Sequence, residues 1–159
     1  MKNFHDFTVE SITGKPYDLA QFKGKKVLVV NTASECGFTH QYAQLEELYE
    51  HFHDADFEII AFPANDFGAQ EPGTNDEINR FCQRNYGVSF PLMAKVTVLG
   101  RHSHPLFQWL TQKSQNGVAD IEITWNFQKF LIDENGQLVK SLAPAVSPMD
   151  DSVLKWIED

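Results

Sequence analysis

Positive charge is scarce in this sequence. Its 159 residues carry 13 Lys and Arg against 22 Asp and Glu, a formal net charge of −9. Nucleic acid is excluded as an expected partner, because neutralising phosphates requires clustered basic side chains. Anionic membrane surfaces are disfavoured for the same reason. Long apolar runs are missing too: the longest are a few residues, where roughly 20 are needed to span a bilayer, so no integral membrane association is expected. The opening residues, MKNFHDFTVE, hold neither an apolar core segment nor a small-residue cleavage site, so no secretory signal is expected and the location is expected to be cytoplasmic. Two cysteines are too few for a disulfide-built scaffold. Nor is there an internal repeat, a linker or a phosphate-cradling glycine loop. The pairs His51/His53 and His102/His104 lack the carboxylate-and-His pattern of a zinc enzyme, so no metal is expected and these histidines read as solvated.

What is present is ordinary globular material, 42% hydrophobic and 22% charged, which predicts a real core in a single domain over residues 1–159. Short alternating segments about Thr13-Gly14-Lys15-Pro16 predict an N-terminal hairpin. Residues 27–33, opening on the apolar run Val27-Leu28-Val29-Val30, read as a buried strand, and FEIIAF (57–62), apolar apart from Glu58, reads as a second one. Between them Tyr42, Leu45, Leu48, Tyr49 and Phe52 recur at spacings of three and four, an amphipathic helix. Thr74 and Glu77 make a capping-box pair for a helix whose Ile78, Phe81, Cys82 and Asn85 share a face. A helix is predicted over 104–113, and a hairpin about Asp133-Glu134-Asn135-Gly136. Ser147-Pro148 reads as the start of a final helix through Ile157. This order predicts an α/β sandwich: a central mixed sheet with helices on both faces and an N-terminal hairpin.

Cys36 sits in NTASECGFTH, where the first buried strand gives way to the first helix. In α/β sheets functional groups gather at such junctions. A free thiol near pKa 8.5 is only about 3% ionised at pH 7, and a helix N-terminus favours a nearby anion. Gly37 leaves no side chain in the approach to Cys36. The same local features also describe an inert, packed cysteine, and they do not decide between the two.

Three segments, NTASECGFT, FPANDFGAQEPG and TWNFQKFLI, resemble the signature segments of the glutathione peroxidase family, in that family's order and across nearly the whole chain. The resemblance implies a thioredoxin-like fold and peroxide reduction by a cysteine or selenocysteine; here the residue is ordinary cysteine. It implies a catalytic group of Cys36, Gln70, Trp125 and Asn126: Cys36 as the nucleophile that becomes a sulfenic acid, Gln70 and Asn126 as amide donors to the sulfur and the leaving oxygen, and Trp125 as an indole donor and apolar wall. Cys82 matches the resolving position of relatives that form an internal disulfide, although its helical face with Ile78 and Phe81 equally suits a buried small hydrophobe. Bridging Cys36 and Cys82 requires their Cα atoms to come within about 7 Å, so the helix over 75–86 is expected to unwind or shift, with Gly87 and Gln83-Arg84-Asn85 marking its labile end.

The sequence departs from the family pattern at Ala64, where many relatives carry a further cysteine, and at Asp66, where glutamine is common. The region between Gly100 and Ile121 lacks the insertion that tetrameric relatives use for assembly, so a monomer is expected. No bound cofactor is expected. Arg80, Arg84 and Arg101 make no evident cluster for glutathione, so thioredoxin is the expected reductant of an enzyme acting on hydrogen peroxide and organic hydroperoxides. Glutathione recycling and a peroxide sensor that passes oxidation to a partner protein are the alternatives. A thioredoxin-type disulfide exchanger expects a C-x-x-C pair, which Cys36-Gly37-Phe38-Thr39 is not.

Overall fold

The structure is a computed structural model and describes residues 2–159. Four strands form the central sheet: β3 (Lys26–Thr32), β4 (Phe57–Pro63), β5 (Lys129–Ile132) and β6 (Leu138–Leu142), in the order β4-β3-β5-β6. β3 pairs parallel with β4 and antiparallel with β5, and β5 pairs antiparallel with β6. The parallel pair needs a crossover, supplied by helix α1 (Gln41–Phe52). A separate hairpin, β1 (Thr8–Glu10) with β2 (Pro16–Asp18), precedes the sheet.

Every residue of β3 and β4 is buried, Lys26, Asn31, Thr32 and Glu58 included, as in strands covered on both faces. Val27, Val29, Ile60, Phe62, Phe130 and Ile132 face one core, shared with Leu106, Phe107, Trp109 and Leu110 of α3 (Pro105–Thr111) and with Phe4, Phe7 and Phe22. Leu28, Val30, Ile59, Ala61 and Leu131 face the other, shared with α1, α2 (Asn75–Tyr86) and α5 (Asp151–Glu158). Each such aliphatic side chain contributes about 1.5–3 kcal/mol when fully buried. The expected helices on both faces of a mixed sheet are therefore found.

Local signals held where the chemistry was unambiguous. Thr74 and Glu77 form the reciprocal capping box of α2. Three expectations need correction. The helix over 104–113 ends at Thr111, because Gln112 turns extended; a short α4 (Lys113–Asn116) follows. Its predecessor His104 is no solvated histidine but the half-buried cap of α3, its Nδ1 accepting from the Leu106 N–H at 3.1 Å. The last helix begins at Asp151 rather than beside Ser147-Pro148. The Asp150 carboxylate accepts from Ser152 N–H at 3.0 Å, whereas Ser147 Oγ only closes a turn to Met149 N; an anionic cap suits the helix dipole better than a hydroxyl does.

Residues 91–96, unassigned in the sequence reading, run along the outer edge of β4. Ala61 N–H donates to Pro91 O and Met93 N–H to Ala61 O, and Val96 N–H bonds Pro63 O. Pro91 lacks a donor, which suits an edge and hides the segment from strand patterns.

Candidate active site

Beyond β3 the chain folds into turns before α1 begins. Thr39 ties them: its Oγ1 donates to Ala33 O at 2.8 Å and accepts from Cys36 N–H at 2.9 Å. Cys36 is left half-exposed at the mouth of the sheet. Two donors point at its sulfur, the Phe38 backbone N–H at 3.3 Å and the Trp125 Nε1–H at 3.2 Å. A Cβ placed on Gly37 would meet no protein atom within 4 Å, so this glycine borders open space rather than relieving a clash.

The segment 67–71 forms the second wall. Glu35 N–H donates to Gln70 O at 3.0 Å, pinning this wall against the cysteine loop. Gly68 (φ +63) needs its missing side chain: a Cβ there would lie 3.2 Å from the Trp125 ring. Ala69 follows at φ +51, a region that a side-chain-bearing residue enters only when its surroundings force it. Phe127, at φ +66, does the same immediately after Asn126. Two such residues thus flank the two site amides, and Asn126 Nδ2 donates to Gln70 Oε1 at 3.1 Å.

Asn31, fully buried at the end of β3, holds the third wall. Its Nδ2 donates to Trp125 O at 3.1 Å, its Oδ1 accepts from Gln128 N–H at 3.1 Å, and its backbone carbonyl accepts from Phe127 N–H at 2.6 Å. The Trp125 ring also packs on Phe67, with centroids 5.6 Å apart.

Comparisons with known proteins place the chain in a family. A family model described as glutathione peroxidase matches residues 4–111, and the glutathione peroxidase homolog BsaA of Halalkalibacterium halodurans is 49% identical over 92% of this chain and 93% of its own. The chain belongs to the glutathione peroxidase family. A glutathione peroxidase of Lactococcus lactis is 46% identical over 98% of this chain and 99% of its own. The crystal structure of T. cruzi GPX1 matches with TM-score 0.75 at 32% identity, covering 99% of this chain and 97% of that one. A thioredoxin-family thiol:disulfide interchange protein from Chlorobium tepidum, 20% identical with TM-score 0.68, shares the fold. The fold is thioredoxin-like, the enzyme is a peroxidase, and the family uses thiol co-substrates as reductants.

Of the residues expected from the family resemblance, Cys36 and Trp125 are in direct hydrogen-bond contact, and Gln70 and Asn126 are joined beside them. Among the described residues the sulfur's hydrogen-bond donors are the indole and a backbone N–H, while the Gln70 and Asn126 amides, expected as donors to the sulfur and the leaving oxygen, bond each other. Cys82 stands apart. It is fully buried on α2, unbonded to Cys36, and burial pushes its thiol up to about 11. Asp66, a departure from the family pattern, accepts from the Val98 N–H at 3.1 Å and holds that loop. Arg80 and Arg84 lie one turn apart on α2, with Arg80 paired to Asp76 at 2.9 Å.

Sequence reasoning missed Asn31, the Phe38 N–H and Glu71. Asn31 opens the very segment singled out for its cysteine, but a strand-end asparagine carries no local signal of three long-range partners. Glu71 follows Gln70 in FGAQEPG and reads as a surface carboxylate; in the fold only 1% of it is exposed.

Proposed function

We propose that this peroxidase reduces hydrogen peroxide and organic hydroperoxides at Cys36, forms a Cys36–Cys82 disulfide, and is recycled by thioredoxin. The observation that carries the reading is the Trp125 Nε1–H donating to Cys36 Sγ at 3.2 Å, beside the Gln70–Asn126 pair. Hydrogen bonds of this kind strengthen when the acceptor is charged, as a thiolate is. That thiolate attacks one peroxide oxygen and the O–O bond breaks. The oxygen left on sulfur makes a sulfenic acid, and the other departs as hydroxide or alkoxide, taking a proton from water. The indole and amides supply donors and a wall; no strong acid is required.

Resetting the enzyme needs Cys82 to leave its burial. Within α2 only Ile78 and Cys82 are buried, so releasing the helix costs about 3–5 kcal/mol, equivalent to an open population of about one in a thousand. A rearrangement on that scale is accessible within turnover, and the disulfide would close a loop of 46 residues, stabilising the closed form by roughly 4 kcal/mol before strain.

Thioredoxin is favoured over glutathione because a resolving thiol presents a protein-type disulfide. In this proposal the enzyme works in a reducing cytoplasm, where thiols persist between turnovers. In the same proposal the single domain over 1–159 acts as a monomer. Peroxide turnover coupled to thioredoxin or to glutathione tests the reductant, and equal or faster glutathione turnover would overturn it. In the same assay Trp125→Phe keeps the wall and removes the N–H; peroxide reduction is expected to fall about a hundredfold, the scale of losing one preorganised donor.

A further inference from the structure

Glu71 has no part in the chemistry above, yet its position is costly. Its buried Oε2 accepts from Ser34 Oγ at 3.1 Å, two residues before Cys36. Glu71, Ser34, Glu35, Gly73, Ile78 and Phe81 line a cavity of about 250 Å³. One wall of it is the cysteine loop and the other is the face of α2 next to Cys82. The cation acting on the carboxyl, Lys95, spends its Nζ on the backbone carbonyls of Glu71 and Gly73, at 3.2 and 2.7 Å. Glu35 adds repulsion, and Glu77 at the cavity rim is occupied with the Thr74 N–H at 3.1 Å. Burial therefore dominates and pushes the Glu71 carboxyl up to about 7. Behind it lie the buried hydroxyls of Thr32 and Tyr42, the latter within reach of the Cys82 thiol, and the charge of Glu71 reaches both Tyr42 and Cys82.

We propose that Glu71 is the proton-transfer group of the resolving step, receiving the thiol proton of Cys82 as that side chain swings into the cavity. The inference rests on Cys82 being the resolving cysteine. The Cys82 S–H bond breaks and its proton passes to the Glu71 carboxylate. The freed electron pair forms the bond to Cys36 Sγ, the S–O bond of the sulfenic acid breaks, and the departing hydroxide recovers the proton from Glu71 and leaves as water. The Cys82 sulfur is oxidised, the Cys36 sulfur is reduced, and Glu71 ends as it began. Such a group is needed because even an ordinary thiol near pKa 8.5 is ionised to only about 3% at pH 7, and Cys82 starts from a buried position that pushes its thiol up to about 11. A carboxylate titrating near neutrality is the base matched to that pH.

The test is rapid mixing with one equivalent of hydrogen peroxide, quenching with a thiol alkylator and a sulfenic-acid trap, and quantifying both products by mass. In the parent protein, disulfide formation is expected to rise with pH and level off, with a midpoint near 7, because the base must be ionised. In Glu71→Gln the midpoint disappears, disulfide formation slows about a hundredfold relative to sulfenic acid formation, and trapped sulfenic acid accumulates. Glu71→Asp restores the midpoint at an intermediate rate. Disulfide formation in Glu71→Gln within about threefold of the parent would overturn the proposal, as would a parent profile flat between pH 6 and 8. Should the glutamine variant misfold by circular dichroism, the parent profile and Glu71→Asp decide. Failure of the underlying reading looks different: no Cys36–Cys82 disulfide forms in the parent at any pH.

Discussion

Cys36→Ser is expected to abolish hydroperoxide reduction, lowering the rate on the order of 10⁵- to 10⁶-fold, the scale on which removing an enzyme's nucleophile acts. Serine preserves the size of the side chain and leaves both donors, the Phe38 N–H and the Trp125 indole, in place. What it removes is the polarisable sulfur, which can hold an added oxygen. Because residue 36 is half-exposed and borders open space, stability should change by only about 0.5 kcal/mol. Cys82 cannot substitute, since it is fully buried with its thiol pushed up to about 11. Peroxide consumption and thermal unfolding on the same sample check both halves. Substantial activity in a folded Cys36→Ser protein would remove the nucleophile from the account.

The second large effect is expected at Cys82, and it differs in kind. Cys82→Ser should still reduce one equivalent of peroxide per chain, because the contacts of Cys36 do not involve residue 82. Steady-state turnover driven by thioredoxin should then fall about a hundredfold or more, since no intramolecular disulfide forms for thioredoxin to reduce. The burst and the steady state thus separate, which a stopped-flow trace followed by a coupled assay would register. Stability bears on the reading too. A buried serine leaves a hydroxyl without an assured partner, at a cost of about 1–3 kcal/mol, so unfolding must be measured beside turnover. Retained thioredoxin-driven cycling would mean that the sulfenic acid is reduced directly.

The contrast between what could and could not be read from the residues has physical causes. β3 and β4 were readable because strands buried on both faces are near-continuous apolar runs, and α2 because Thr74 and Glu77 satisfy each other's backbone N–H groups within one turn. Cys36, Gln70, Trp125 and Asn126 came from the family resemblance; local chemistry alone left each of them ambiguous. Their arrangement was not readable. The left-handed backbone at Ala69 and Phe127 belongs to residue types that normally avoid it, so only tertiary contacts reveal it. The grip of Asn31 on residues 125–128 spans more than ninety positions. Competing caps three residues apart, Ser147 and Asp150, were decided by charge and by the turn between them. Glu71 shows the same limit: a carboxylate beside Pro72 looks solvated until the cysteine loop and α2 close over it.

Oxidation of the Cys36 sulfur by peroxide can be tested directly in one measurement. Cys82→Ser protein is treated with one equivalent of hydrogen peroxide, trapped with a sulfenic-acid reagent and mapped by peptide mass. The account predicts a stoichiometric adduct on the peptide carrying Cys36 and none elsewhere. Peroxide consumed while Cys36 remains a free thiol would contradict it.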